Sequence, residues 1–155
     1  MTSARRPCEK ILAVASGGGH WVQLLRLMPA FGNLDVVFVT VNSIYRDQVP
    51  DRKLYLVRDA TRWNKFGLVV MALKLTWIIC KERPHAVVST GAAPGFLAVV
   101  IGRMFGARTI WLDSIANVEQ ISMSGDRVGR YADLWLTQWA HLARPDGPHY
   151  AGSVL

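Results

Sequence analysis

Residues Lys10 to Leu25 read KILAVASGGGHWVQLL, and the reading of this stretch decides the fold. Ile11 to Ala15 is an apolar run that predicts a buried strand. Gly17, Gly18 and Gly19 predict a turn, and His20 opens a helix in which Trp21, Leu24, Leu25 and Met28 recur at helical spacing. A strand that feeds a glycine turn and then a helix builds an anion site. Glycine lets the backbone come close to a ligand, and the free N–H groups of the first helical turn point at it. The helix dipole adds partial positive charge at the same place.

Working outward, the same alternation continues. Pro29 and Gly32 close the first helix, expected to reach about Ala30. DVVFVTV (Asp35 to Val41) is a continuous apolar run of the kind buried on both faces of a parallel sheet. Asn42 to Arg52 is polar and reads as a loop, and KLYLV (Lys53 to Val57) as a short strand. Arg62 to Arg83 predicts a long helix, apolar nearly all round, with Trp63, Phe66, Val70, Leu73 and Trp77 on one side and Leu68, Met71, Leu75 and Ile79 largely on another. HAVVS (His85 to Ser89) is a further strand, leading into Thr90-Gly91-Ala92-Ala93-Pro94-Gly95 and a second apolar helix; Pro94 suits its first turn. RTIWL (Arg108 to Leu112) is another strand, with Asp113 and Ser114 at its end, and Tyr131 to Gln138 reads as the last core strand. Ile115 to Arg130 is mixed and polar, and its pattern fits a loop with a short helix.

Strands alternating with helices at these lengths predict a single domain over residues 1–155: a doubly wound, Rossmann-like parallel α/β sheet. Ligands of such sheets sit at the carboxyl ends of the strands. That rule puts the Gly17–His20 turn, the Thr90–Gly95 turn and Asp113-Ser114 on one rim.

Composition narrows the chemistry. The chain has 155 residues, is 51% hydrophobic and carries 18 Lys and Arg against 11 Asp and Glu, a net charge of +7. The charge favours an anionic partner such as a phosphorylated substrate or an anionic lipid surface. No basic stretch interleaves with aromatics, so nucleic acid is not expected. Cys8 and Cys80 form no C-x-x-C and no zinc spacing, which points to reduced thiols on a cytoplasmic side and to no metal. A dinucleotide fingerprint fails, because Val22 stands where its third glycine belongs and no acid ends the second strand. No Gly-Lys-Ser/Thr and no G-x-S-x-G occurs, which excludes a P-loop and a hydrolase elbow. The apolar run Phe66 to Cys80, interrupted by Lys74, falls short of the roughly 20 residues a span requires. It reads either as a crossover helix packed on the sheet or as a helix lying in a membrane surface, with Arg62, Lys65, Lys81 and Arg83 at lipid headgroups. On the rim, His20 is a candidate general base or phosphate donor. Asp113 is a second candidate, to activate a hydroxyl or to orient His20, or else simply a helix cap.

The stretches S-G-G-G-H-W-x-Q-L-L-x-L, S-T-G-A-A-P-G, the strand-end D-S, and Q-W-x-x-L with a terminal Y-x-G together resemble one family. It is the membrane-associated, acceptor-side subunit of the split UDP-sugar glycosyltransferases. Its bacterial members serve capsule and exopolysaccharide assembly on undecaprenyl diphosphate. The eukaryotic member anchors the enzyme that adds the second GlcNAc to dolichyl-diphosphate-GlcNAc. The two subunits together are similar to MurG, a two-domain GT-B enzyme, cut between its halves. The resemblance implies the N-terminal, acceptor half of a GT-B fold and needs no cofactor.

It further implies that Gly17, Gly18, Gly19 and His20 hold the acceptor's diphosphate, with Thr90, Gly91, Ala92, Ala93 and Pro94 as the second acceptor-side loop. His20 and Asp113 are the candidate bases, although Asp113 stands where relatives often have glutamate. Gln138, Trp139, Tyr150 and Gly152 are expected near the join to a UDP-sugar-binding partner subunit. The eukaryotic member has an N-terminal membrane-spanning helix, whereas this sequence starts close to its first strand. Trp63, Phe66 and Trp77 are therefore the expected membrane contacts, at the cytoplasmic face of a bacterial inner membrane. The alternative is a non-catalytic anchor that activates a separate, complete glycosyltransferase.

Overall fold

The computed structural model describes residues 9–154. Seven strands form one sheet in the order β3-β2-β1-β4-β5-β6-β7, with every neighbouring pair parallel. They are β1 (Lys10–Val14), β2 (Asp35–Thr40), β3 (Lys53–Leu56), β4 (Ala86–Ser89), β5 (Arg108–Leu112), β6 (Leu134–Thr137) and β7 (His149–Tyr150). The helices are α1 (Gly19–Arg26), α2 (Met28–Phe31), α3 (Lys65–Glu82), α4 (Ala92–Met104) and α5 (Met123–Val128). This is the Rossmann-like, doubly wound α/β fold that the alternation predicts.

Period-2 alternation along each strand assigns side chains to two layers. Ile11 and Ala13 of β1, with Val36 and Phe38 of β2, pack against Trp21, Leu24 and Phe31. Leu12 and Val14, with Val37 and Val39, face the opposite layer, where α3 supplies Met71, Leu75, Ile78 and Ile79 and α4 supplies Ala98, Val99 and Ile101. Both faces of the sheet are thus covered, as the unbroken apolar runs require.

Of the boundaries that differ from the sequence reading, three have a clear local reason. The helix expected to Ala30 breaks at Leu27 into α1 and α2. Pro29 has no N–H to give and its ring crowds the carbonyl four residues back. The stretch 42–52, expected to be a loop, contains a 3₁₀ helix, Ser43–Gln48, capped by the Asn42 side chain on Ile44 N–H at 3.0 Å. The strand expected from Tyr131 starts only at Leu134. Tyr131 and Ala132 still donate to the Val128 carbonyl, and the Asp133 carboxylate is held by Thr109 N–H at 2.8 Å and Arg103 at 2.6 Å.

The long helix starts on an Asn64 cap and ends at Arg83, whose left-handed φ of 47° precedes Pro84. Its buried end is tied to the sheet through Glu82, which is 5% exposed. That carboxylate accepts from Lys10 at 2.8 Å and Lys53 at 2.9 Å, and from the Tyr55 hydroxyl. Burial alone would raise the Glu82 pKa; the hydrogen bonds from Lys10, Lys53 and Tyr55 outweigh it and hold the group at about 2. The same burial, with the Glu82 hydrogen bond, pushes Tyr55 up to about 12.

Candidate functional site

In this strand order the chain runs from β1 to β2 on one side and from β4 to β5 on the other. The connections leaving β1 and β4 therefore diverge, and a crevice opens between them at the carboxyl ends of the strands. Both glycine turns lie at that switch point.

The first turn is fastened from below, because the Ser16 carbonyl accepts from Val41 N–H and from the Thr40 hydroxyl at 2.8 Å. Gly18 follows at φ 55° and ψ −132°, a conformation open to glycine and costly for any residue with a Cβ. His20 then reaches across to the second turn. Its Nδ1 lies 2.9 Å from the Thr90 carbonyl, while the Thr90 hydroxyl donates to the His20 carbonyl at 2.6 Å. These reciprocal bonds latch the two turns together. A carbonyl only accepts, so Nδ1 must carry the proton. In the neutral imidazole Nε2 is then an unprotonated acceptor, and no described residue hydrogen-bonds to it.

Gly91 completes the latch. Its φ of 143° excludes most side chains, and a Cβ there would penetrate the His20 ring. Ala92 follows at φ 65°, a strained value for alanine in the first turn of α4. Such strain persists where the surroundings over-determine it, commonly at ligand-binding turns. Neither α1 nor α4 has a side-chain cap or an acidic residue in its first turn. By contrast α3 and α5 are capped by Asn64 and Ser122. Gly18 N–H donates to the Tyr45 hydroxyl and Gly91 N–H to Ser89 Oγ, while the N–H groups of the first turns of α1 and α4 beyond them have neither a side-chain cap nor an acidic neighbour in the turn.

One side chain here escapes the sequence reading. Tyr45, from the 3₁₀ helix, stacks on Trp21 with ring centroids 4.7 Å apart and accepts from Gly18 N–H at 2.7 Å. Trp21 is itself pinned by its indole N–H on Gln48 at 2.8 Å. Tyr45 therefore roofs the first turn. An aromatic in a polar stretch carried no spacing signal that would have found it.

Asp113 is 1% exposed and saturated with hydrogen bonds. One oxygen accepts from Trp111 Nε1 and the Ser122 hydroxyl, the other from Asn117 Nδ2 and Ser122 N–H, both at 2.9 Å. It organises the segment between β5 and α5. The partner that orients His20 is Thr90, not Asp113, and no hydrogen bond joins Asp113 to His20 among the described residues. Gln138, expected near a partner, is 2% exposed. Its amide donates to Gln23 at 2.7 Å and to the Asp113 carbonyl at 3.0 Å, and its oxygen accepts from Val154 N–H at 2.9 Å. It closes a buried network between α1, the end of β5 and the C-terminal segment, so any influence on an interface runs through the segment it holds. Trp139 is half-buried, with its indole N–H on the Ile115 carbonyl at 2.8 Å; Tyr150 and Gly152 are exposed.

The outer face of α3 is open. Trp63, Phe66, Val69, Leu73 and Trp77 are 80%, 76%, 56%, 67% and 51% exposed. Val69 takes the place on this stripe expected for Val70, which is half-buried. Arg62 lies over the Trp63 ring and Lys81 over Trp77, each at 4.6 Å. Among the described residues no helix is long and apolar enough to cross a membrane, and no cluster of His, Cys, Asp or Glu could hold a metal ion. Cys80 is exposed and unpaired, whereas Cys8 lies outside the described residues.

The architecture belongs to a known class: a Rossmann-like α/β domain of the kind from which GT-B enzymes are built. No protein-family model and no curated protein matches the sequence. Among solved structures the fold is similar to MurG of Acinetobacter baumannii, with TM-score 0.75 and 11% identity over 94% of this chain and 45% of that one. It is similar also to UDP-N-acetylglucosamine 2-epimerase of Rickettsia bellii, with TM-score 0.72 and 11% identity over 96% and 46%. A glycosyltransferase of Rickettsia africae matches with TM-score 0.56 and 16% identity over 78% and 33%. At these identities the likeness is one of fold, and the chain spans less than half the length of each of these enzymes.

Proposed function

We propose that this chain is the acceptor-side, membrane-associated half of a UDP-sugar glycosyltransferase. It binds a polyprenyl-diphosphate-linked sugar, and a UDP-sugar-binding partner subunit completes the site, extending the acceptor in bacterial polysaccharide assembly at the cytoplasmic face of the inner membrane. The observation that carries the reading is the His20–Thr90 latch, which brings two uncapped helix N-termini to the switch point and leaves Nε2 of His20 free. The first helical turns supply N–H donors for the diphosphate, with Gly17, Gly18, Gly19, Gly91, Ala92, Ala93 and Pro94 forming the walls. Nε2 of His20 takes the proton of the acceptor hydroxyl as its oxygen attacks the anomeric carbon of the donor. The bond from that carbon to UDP breaks, and UDP leaves with the electron pair. The fold likeness to a glycosyltransferase and to a UDP-N-acetylglucosamine 2-epimerase supports this class of reaction.

The test is reconstitution. The purified chain, given a UDP-sugar and a prenyl-diphosphate-sugar acceptor, is expected to be inactive alone and active once a UDP-sugar-binding second chain is added. Robust transfer by this chain alone would overturn the two-chain arrangement. Full transfer by the second chain alone would leave the anchor role in its place.

Membrane contact is assigned to the open stripe of α3 and its basic flanks. The protein is expected to sediment with vesicles containing anionic lipid, and less with neutral ones. A triple serine replacement of Trp63, Phe66 and Trp77 should abolish sedimentation and leave the circular dichroism spectrum intact, since all three side chains are exposed. Unchanged sedimentation would remove the stripe from the interface.

A further inference from the structure

A second cavity adjoins the second glycine turn. It is an open groove of about 360 Å³ between the N-terminal end of α3, the first turns of α4 and the start of α5. Ala93, Phe96 and Leu97 of α4 form its floor side, with Leu68 and Met123 opposite. Its volume lies within the roughly 300–1,000 Å³ of small-molecule sites. Phe96, Leu97 and Leu68 are backed by the main core, so the groove is a fixed feature of the packing. Its charged side chains are both arginines, Arg62 and Arg127, and no acidic residue lines it. Arg127 makes no hydrogen bond or ion pair with any described residue, and Arg62 rests on Trp63 and the Met123 sulfur.

We propose that this groove is the subsite for the first part of the hydrocarbon chain of a prenyl diphosphate, with its phosphate end between the groove and the glycine turns. The inference rests on the diphosphate reading of those turns and adds where the lipid goes. Ala93 belongs to both features: it stands two residues after the Gly91 latch and lines the groove. A hydrocarbon chain bonded to a phosphate at the turn must leave it over apolar surface or lose its burial to water. The groove provides that surface, Arg62 and Arg127 give its lining the positive charge that suits an anionic ligand, and the exposed side chains of Trp63 and Phe66 lie next to Arg62 in the chain.

The experiment compares inorganic pyrophosphate with geranyl diphosphate by isothermal titration calorimetry. The wild-type chain is expected to bind geranyl diphosphate at least about tenfold more tightly, because its chain is buried. Leu97→Trp, which fills the groove, should bring geranyl diphosphate to within about threefold of pyrophosphate and leave pyrophosphate unchanged. Should Leu97→Trp fail to fold, Met123→Trp, at a side chain 51% exposed, decides alone by the same comparison. Equal binding of the two ligands by the wild type overturns the groove and leaves the glycine turns standing. A preference that survives the blocking variant also overturns it. Binding of neither ligand overturns the diphosphate reading and the groove with it.

Discussion

Replacing His20 by alanine is expected to lower the reconstituted transfer rate by about 10²-fold or more while leaving the sheet folded. The expectation follows from two bonds. The Thr90 carbonyl takes the Nδ1 proton at 2.9 Å and thereby sets the tautomer that leaves Nε2 able to accept. Loss of the ring removes that acceptor but not the turn, because Gly18 and the Ser16 carbonyl hold the backbone independently. His20→Gln is the informative companion. It keeps a hydrogen-bonding side chain yet cannot take up a proton at neutral pH, so it should be nearly as slow as alanine. Pyrophosphate affinity separates binding from chemistry: both variants should keep it to within about threefold, whereas Gly91→Val, which drives a side chain into the His20 ring, should lose it. Normal turnover in His20→Ala would take the histidine out of the mechanism.

Glu82→Ala should cost about 3 kcal/mol of stability. Its carboxylate, 2% exposed at the side chain, is held by Lys10, Lys53 and Tyr55 and joins the last turn of α3 to β1 and β3. Removing it leaves the Tyr55 hydroxyl without its acceptor. The lysines suffer less, since they are 27% and 53% exposed and can turn to water, which keeps the loss below that of a fully buried pair. For a chain of this size the melting temperature should fall by about 6–12 °C. The pH dependence has a definite sign. The folded pKa of Glu82 is depressed from 4.5 to about 2, so its stabilisation is fully present above 4.5 and is lost as the pH falls toward 2. Wild type should therefore lose stability across that window more steeply than Glu82→Gln. Parallel acid profiles for the two proteins would show that the carboxylate contributes no charge-dependent stability.

Sequence alone determined the parallel α/β class of the fold and the location of its rim, though not the strand order or the edge strand β7. Val36 to Val39 and Leu12 to Val14 are unbroken apolar runs that only a two-sided burial satisfies, and glycine turns after β1 and β4 announce themselves because few other residues adopt their backbone angles. Local chemistry of this kind is written within a few residues of where it acts. Tertiary structure alone decided the rest. Whether α3 buries all of its apolar surface or leaves a stripe open depends on how wide the sheet beneath it is: Met71, Leu75, Ile78 and Ile79 fill that width, and Leu73 and Trp77 are left outside. Asp113 and Gln138 look equally available in the sequence, but partners far along the chain enclose them, Ser122 in one case and Gln23 and Val154 in the other. Tyr45 joins the glycine turn from 27 residues away, and His20 meets Thr90 across 70. Contacts over such separations have no spacing to read. They exist because parallel pairing of β1 with both β2 and β4 brings the connections that leave those strands to one end of the sheet.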